Sequence, residues 1–156
     1  MEFFISLLPA FIEGLKITLF FWVVTLFGSF ILSLPIVYLR LSRNKVISSI
    51  LRFYIYIMRG TPLLLQLMFV YFGLPYIGIR MDRTTAAIFA FILNYTAYFT
   101  EILRGGIQSI DEGQKEAAKI LGYSNTYTFL KILLPQALRN CIPSFINESL
   151  TLLKDT

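Results

Sequence analysis

Four polar side chains interrupt long apolar runs: Glu148, Asn147, Gln66 and Asn94. Glu148 carries an ionisable carboxyl group. Holding such a group in lipid is costly, so it must face a cavity or a partner. Asn147 stands next to it. Gln66 and Asn94 are amides, which can line a polar path or hydrogen-bond one helix to its neighbour. All four are candidates for lining a pathway, and a buried interhelical hydrogen bond is the alternative for each. Glu101 is different, because Arg104 follows at the spacing of a helical ion pair. Neither a catalytic nor a metal site is expected. The chain has no histidine and a single cysteine, Cys141. It therefore lacks the commonest general base and metal ligand, and it has no intrachain disulfide framework. No G-x-x-x-x-G-K-[ST] loop is present, which excludes ATP binding by that route.

The elements that must position these groups are hydrophobic. Of 156 residues, 56% are apolar and 16% aromatic, and the mean hydropathy is +0.70. These values are unusual for a soluble domain and point to a bilayer protein. An all-α, polytopic helix bundle is expected, with four membrane helices at 17–39, 60–79, 84–103 and 136–153. The first run is uncharged for twenty-three residues, or roughly 34 Å of helix, enough to cross a hydrocarbon core of about 30 Å. Gly28 and Ser29 could permit close packing in it, and Pro35 a kink. Residues 1–12 are aromatic, contain Pro9 and are too short to span, so an interfacial segment is expected there. Thr61–Pro62 and Pro75 lie near the ends of the second run. The third, Thr84 to Thr100, carries Asn94. The fourth carries Pro143, Asn147 and Glu148.

Between the third and fourth runs lies a polar stretch, Asp111 to Pro135, with three of the nine acids and three of the fourteen bases. A structured charged loop of this length has a role beyond connection. Ser109 and Glu112 have capping-box spacing, which predicts a helix from near Ile110. Gly122 predicts its stop. Ser124 predicts the cap of a second helix from about Asn125, ended by Pro135. On the first helix, Glu112, Lys115, Glu116 and Lys119 share one face, with Glu112–Lys115 and Glu116–Lys119 as opposite-charge pairs. Ile110, Gly113, Ala117 and Leu121 share the other. Small residues allow another backbone to approach, so 109–135 reads as a docking loop.

The bases set an orientation. Segments 40–59 and 101–139 hold five Lys or Arg each, the turn at 80–83 holds two, and the N-terminal stretch holds Lys16. By the positive-inside rule the N-terminus faces outside and the 109–135 loop faces the cytoplasm. The net charge of +5 belongs to bases flanking apolar runs, which favours topology over nucleic-acid binding.

Glu116-Ala117-Ala118, three residues, Gly122, nine residues, then Ile132-x-Leu134-Pro135 matches at every fixed position the EAA motif of ABC importer permeases, which this chain resembles. Three further stretches look like the polar amino-acid branch of that family, the His/Glu/Gln/Arg/opine-type permeases: Arg59-Gly60-Thr61-Pro62-Leu63-Leu64 with Gln66, Glu101 to Ile107, and Leu152 to Thr156. The resemblance implies a type I ABC importer permease fold. Such permeases usually have five spanning helices; four are present here, and the fifth is expected to be missing. It implies a transmembrane subunit of an ATP-driven importer for polar amino acids in the cytoplasmic membrane, working beside a second permease subunit, identical or a sibling. Cytosolic ATPase subunits would hold ATP and magnesium, so no cofactor is expected in this chain. An extracytoplasmic binding protein would deliver the amino acid. Glu116, Ala117, Ala118, Gly122, Ile132, Leu134 and Pro135 would form the ATPase-coupling site. Glu148 and Asn147 would meet the ammonium or side chain of the substrate. The competing expectation is a non-transporting anchor or channel-like subunit whose loop docks a partner.

Overall fold

The computed structural model describes the backbone of residues 2–42 and 44–156, with side chains from Leu7 onward; Met1 and Arg43 lie outside the described residues. The molecule is all-helical, with no strand among the described residues. Its helices are α1 (Glu2–Arg40), α2 (Lys45–Gly60), α3 (Leu63–Met68), α4 (Arg83–Gln108), α5 (Glu112–Ile120), α6 (Asn125–Tyr127) and α7 (Leu134–Asp155).

α4 is the axis of the bundle. More than half of its apolar window is buried, 56% against 17% for α1. α1 packs along it through Thr25, Ser29, Ser33 and Val37, a stripe of small residues spaced by four and fully buried. At that spacing they share one helix face, and small side chains let two backbones approach. The approach is real at Gly28, where an added Cβ would lie 2.8 Å from Ile92 Cδ1. Ser29 Oγ donates to the Ile92 carbonyl at 3.2 Å. α7 closes on α4 at Gly106, where a Cβ would collide with Cys141 Sγ and sit 3.0 Å from the Ala137 carbonyl oxygen. Trp22 ties α1 to α7, its indole N–H donating to the Ser149 carbonyl at 2.9 Å.

Three of the sequence expectations change. Residues 1–12 are not a separate segment: the helix runs unbroken from Glu2 through Pro9 to Arg40. The stretch 60–79 is not one helix. Pro62 disfavours helical backbone in the residue before it, and Thr61 is extended at φ −116, ψ 145. α2 ends there, and the chain from Leu63 to Ile77 leaves at 108° to it. A π-turn at Phe69–Gly73 and a 3₁₀ turn at Leu74–Ile77 complete the bent pair, and Gly78 at φ +87 ends it. The third change is at Pro135, which does not end the helix begun at Ser124. α6 passes through a π-turn, Thr128–Leu133, into α7. The wider turn lets the Leu134 N–H reach the Phe129 carbonyl, and Pro135, next in the chain, has no amide to place.

By length and composition, two helices can cross a membrane, Leu7–Arg40 and Arg83–Gln108, or three if the bent pair counts as one span. α7 covers 136–153 but carries Arg139, Asn147 and Glu148. Polar capping fixes the starts of four helices: Asn44 accepts from Val46 and Ile47, Asp82 from Thr85, Asp111 from Gly113, and Ser124 from Tyr127. The Thr85 hydroxyl and amide hold the Asp82 carboxylate below its usual range.

Candidate functional site

The polar residues of the membrane region gather at the break between α2 and α3. Ending α2 at Gly60 leaves backbone carbonyls that need donors. Gln66 supplies them. Its Nε2 donates to the Met58 carbonyl at 3.0 Å, the Thr61 carbonyl at 3.2 Å and the Thr61 hydroxyl at 2.8 Å. Asn94, buried on α4, donates to the Met58 carbonyl at 2.9 Å and to Gln66 Oε1 at 3.0 Å. The two amides therefore stitch the bent pair to the central helix.

Below this stitch lies a cavity of about 450 Å³. Thr61, Asn94, Tyr98, Glu148, Thr151 and Asp155 give it polar walls, and Leu63, Leu64 and Leu67 give it an apolar one. Of the four sequence candidates, Glu148 and Asn94 line it. Gln66 stands behind Asn94. Asn147 does not line it and is exposed on α7, because neighbouring residues on a helix point about 100° apart. Asp155 and Tyr95 were missed as a pair. The Tyr95 hydroxyl donates to Asp155 Oδ2 at 2.5 Å, so Asp155 closes on α4. The Arg59 guanidinium lies over the Tyr98 ring, 5.1 Å from its centroid.

The second polar region is the loop carrying α5. Asp111, not Ser109, caps this helix, accepting from the Gly113 N–H at 2.8 Å. Ser109 is already used as the C-cap of α4, its Oγ donating to the Gly106 carbonyl at 2.8 Å. Gly122 stops α5 as expected, at φ +76. Its N–H donates to the Lys119 carbonyl and the Tyr123 N–H to the Ala118 carbonyl, both at 3.0 Å. This is the paired reversal that an αL glycine permits. Glu112 and Lys115 pair at 2.9 Å. Glu116 and Lys119 form no ion pair with each other.

α5 is held from beneath by few contacts. Ala118, not Ala117, is its buried residue. Gln114 and Gln136 exchange two amide hydrogen bonds, at 3.0 and 2.6 Å, joining α5 to the start of α7. The Tyr38 hydroxyl meets Thr126 Oγ1 at 2.8 Å and its ring packs edge-on against Phe129, joining the loop to the end of α1. Phe129 and Leu133 belong to one buried cluster with Val37, Leu103, Ile107, Ile110 and Ala137, which spans α1, α4 and α7. A groove of about 760 Å³ runs between the charged face of α5, with Glu112, Lys115, Glu116 and Lys119, and the ends of α1 and α4. The outer surface keeps Glu116, Ala117, Ile120 and Leu121 exposed, Ile120 at 86% and Leu121 at 69%. Of the remaining motif residues, Gly122 and Pro135 are exposed, while Ile132 and Leu134 are half-buried against the shared cluster. Among the described residues, no three His, Cys, Asp or Glu come together as a metal-binding group.

Comparison with known proteins places these two regions in a family. An arginine transport system permease protein of Bacillus subtilis is 44% identical over 96% of this chain and 68% of its own length. A putative glutamine transport system permease protein of Rickettsia prowazekii is 37% identical over 93% of this chain and 67% of its own. The chain thus spans about two thirds of the length of these relatives. The crystal structure of an amino acid ABC transporter with histidines superposes with a TM-score of 0.86 at 36% identity, covering 97% of this chain and 71% of that one. The MetNI methionine ABC transporter shares the fold, with a TM-score of 0.80 at 20% identity over 96% of this chain and 72% of that one. Residues 29–156 match the family described as binding-protein-dependent transport system inner membrane component, and the chain is a multi-pass membrane protein that belongs to it.

Proposed function

We propose that the chain forms part of the translocation pathway of an ATP-driven importer for polar amino acids and couples that pathway to a separate ATPase subunit. The observation that carries this reading is the state of α5. It presents Ile120, Leu121 and Glu116 outward, beside bases that favour the cytoplasmic side. Beneath, Gln114 ties it to the start of α7, and the segment that follows it reaches α1 through Thr126 and Tyr38 and enters the cluster shared by α1, α4 and α7 through Phe129 and Leu133. A helix bare on one side and joined on the other, through Gln136 and the 124–133 segment, to the membrane helices suits a lever: a load on α5 passes through that segment to the shared cluster and tilts the helices rooted in it. Glu116, Ala117 and Gly122 would meet the ATPase, and Ile132, Leu134 and Pro135 would pass the motion into α7. The N-terminus would lie outside. ATP and magnesium would be held by the ATPase, and the chain would hold neither. A second permease subunit and an extracytoplasmic binding protein would complete the assembly.

The names of the relatives, which carry arginine, glutamine and nopaline, support an amino acid or a derivative as cargo. The cavity at Glu148 offers carboxylates for an ammonium and an apolar wall for the rest. The test is reconstitution in liposomes with a candidate ATPase and binding protein. Binding-protein-stimulated ATP hydrolysis and uptake are expected. Glu148→Gln should cut uptake about tenfold or more, the scale of one lost charge-assisted contact, while the ATPase stays bound. Unchanged uptake with unchanged substrate preference would remove Glu148 from the pathway. A loop that binds the ATPase without any flux would favour the anchor reading.

A further inference from the structure

A third cavity, of about 340 Å³, opens where the end of α1 meets α2 and α4. Arg40, Arg52 and Arg59 line it, with Ile55, Tyr56 and Glu101. Three guanidinium groups therefore face one carboxylate, and that carboxylate is already engaged. Glu101 holds Arg104 at 2.7 Å through Nη2 and 2.8 Å through Nε. Among the described residues, none of the three cavity arginines has an ion-pair partner. Arg40 donates through Nη1 to the Ser48 hydroxyl at 3.1 Å, but its Nε is buried with no acceptor. A buried donor without an acceptor carries a desolvation penalty, and crowding like charges beside it adds to the cost. The groove holds three guanidinium groups against the one carboxylate of Glu101, and so an excess of positive charge.

The surroundings say which anion suits that charge. Arg40 is the last residue of α1, and Arg52 lies about 10 Å along α2 from its start at Lys45. Both belong to the basic segment 40–59, which the positive-inside rule sets beside the headgroups of the basic side. The outer face of α2 exposes Val46, Ile50 and Phe53, each more than 60% accessible, and Tyr56 at 75% forms the rim of the cavity. This is a surface for acyl chains leading to a pocket for a phosphate. Paired guanidinium groups fit a phosphate bidentately. We propose that this groove binds the phosphodiester headgroup of an anionic lipid through Arg40 and Arg52, with Arg59 at its inner end and the acyl chains against α2. A free phosphate shares the anionic chemistry but gains nothing from the apolar strip. The proposal needs the membrane placement and not the transport reading.

The test is native mass spectrometry of the protein taken from phosphatidylcholine nanodiscs doped with phosphatidylglycerol. Retention of phosphatidylglycerol over phosphatidylcholine is expected. R40Q/R52Q should lose that excess about tenfold or more, the scale for two surface charges. R40K/R52K, which keeps the charge but loses the bidentate fork, should fall between the parent and R40Q/R52Q. Millimolar inorganic phosphate should not displace the lipid. Equal retention of the two lipids, equal retention by the parent and R40Q/R52Q, or displacement by phosphate alone would each overturn the proposal. Loss in the lysine variant equal to that in the glutamine variant would do so too, since charge would then not be the cause.

Discussion

The two polar regions of this molecule are built in opposite ways. At the break between α2 and α3, Gln66 and Asn94 place their amide donors on neighbouring carbonyls, and α4 supplies a buried wall. In the loop, α5 buries one side chain, Ala118, and leaves its apolar end open. The difference follows from the solvent. In lipid an unpaired amide has no water to fall back on, so the membrane region must close its hydrogen bonds internally. At the aqueous side a helix can remain underfilled and wait for a partner. The first region should therefore govern folded stability and the second should hardly touch it.

The largest effect on stability should come from Gly106. Gly106→Ala would drive a methyl group into Cys141 Sγ and against the Ala137 carbonyl, which is backbone and cannot rotate away. A loss of about 1–3 kcal/mol is expected, and more for valine. Gly28→Ala meets the Ile92 side chain and no backbone atom among its nearest neighbours, and should cost less. The chain's single tryptophan, Trp22, bonded to Ser149, offers a direct readout. Its fluorescence during thermal unfolding in detergent should shift to lower temperature for Gly106→Ala. Equal midpoints for the two glycine variants would mean that α4 and α7 are not in contact as described.

Asn94→Leu should come next, costing roughly 1 kcal/mol, the scale of an interhelical hydrogen bond in a membrane protein. The Met58 carbonyl keeps Gln66 as a donor, which limits the loss. Gln66→Leu removes the three bonds that Gln66 donates and the one it accepts from Asn94, and should cost somewhat more. The double variant should be less than additive, because the two amides share one bond. Strict additivity in a double-mutant cycle would separate them.

Much of this comparison is legible in the residues. The glycine at 122 and the cap at Ser124 follow from local backbone rules, and both appear where spacing puts them. Glu148 stands out because a carboxyl group in an apolar run needs a reason. Other features depend on what is adjacent in space. Ser109 fails to cap α5 because α4 runs on to Gln108 and takes that hydroxyl first. The Gln114–Gln136 exchange joins residues twenty-two apart in sequence and has no local signature. The Tyr95–Asp155 bond spans sixty residues. The bend at Thr61–Pro62 is the exception, since proline's restriction on its predecessor was available from the sequence and the uncharged run hid it.

The smallest stability effect should come from the outer face of α5, and it divides the two regions most sharply. Ile120 and Leu121 are 86% and 69% exposed, so replacing both with serine removes little packing within the chain. The unfolding midpoint should move by no more than about 0.5 kcal/mol equivalent, the range of ordinary surface changes. If anything, removing exposed apolar area should help solubility. Affinity for the ATPase should respond differently. Two apolar side chains buried at an interface contribute about 1.5–3 kcal/mol each when fully covered, which predicts a loss of tenfold or more in co-purification. Lys115→Ala, which breaks only an exposed pair, should leave stability within about 0.5 kcal/mol as well and serves as the control on the same helix. A midpoint that falls with Ile120 and Leu121 would place them in this chain's own core. A midpoint and an ATPase affinity that both stay fixed would mean that the open face of α5 meets something other than the ATPase.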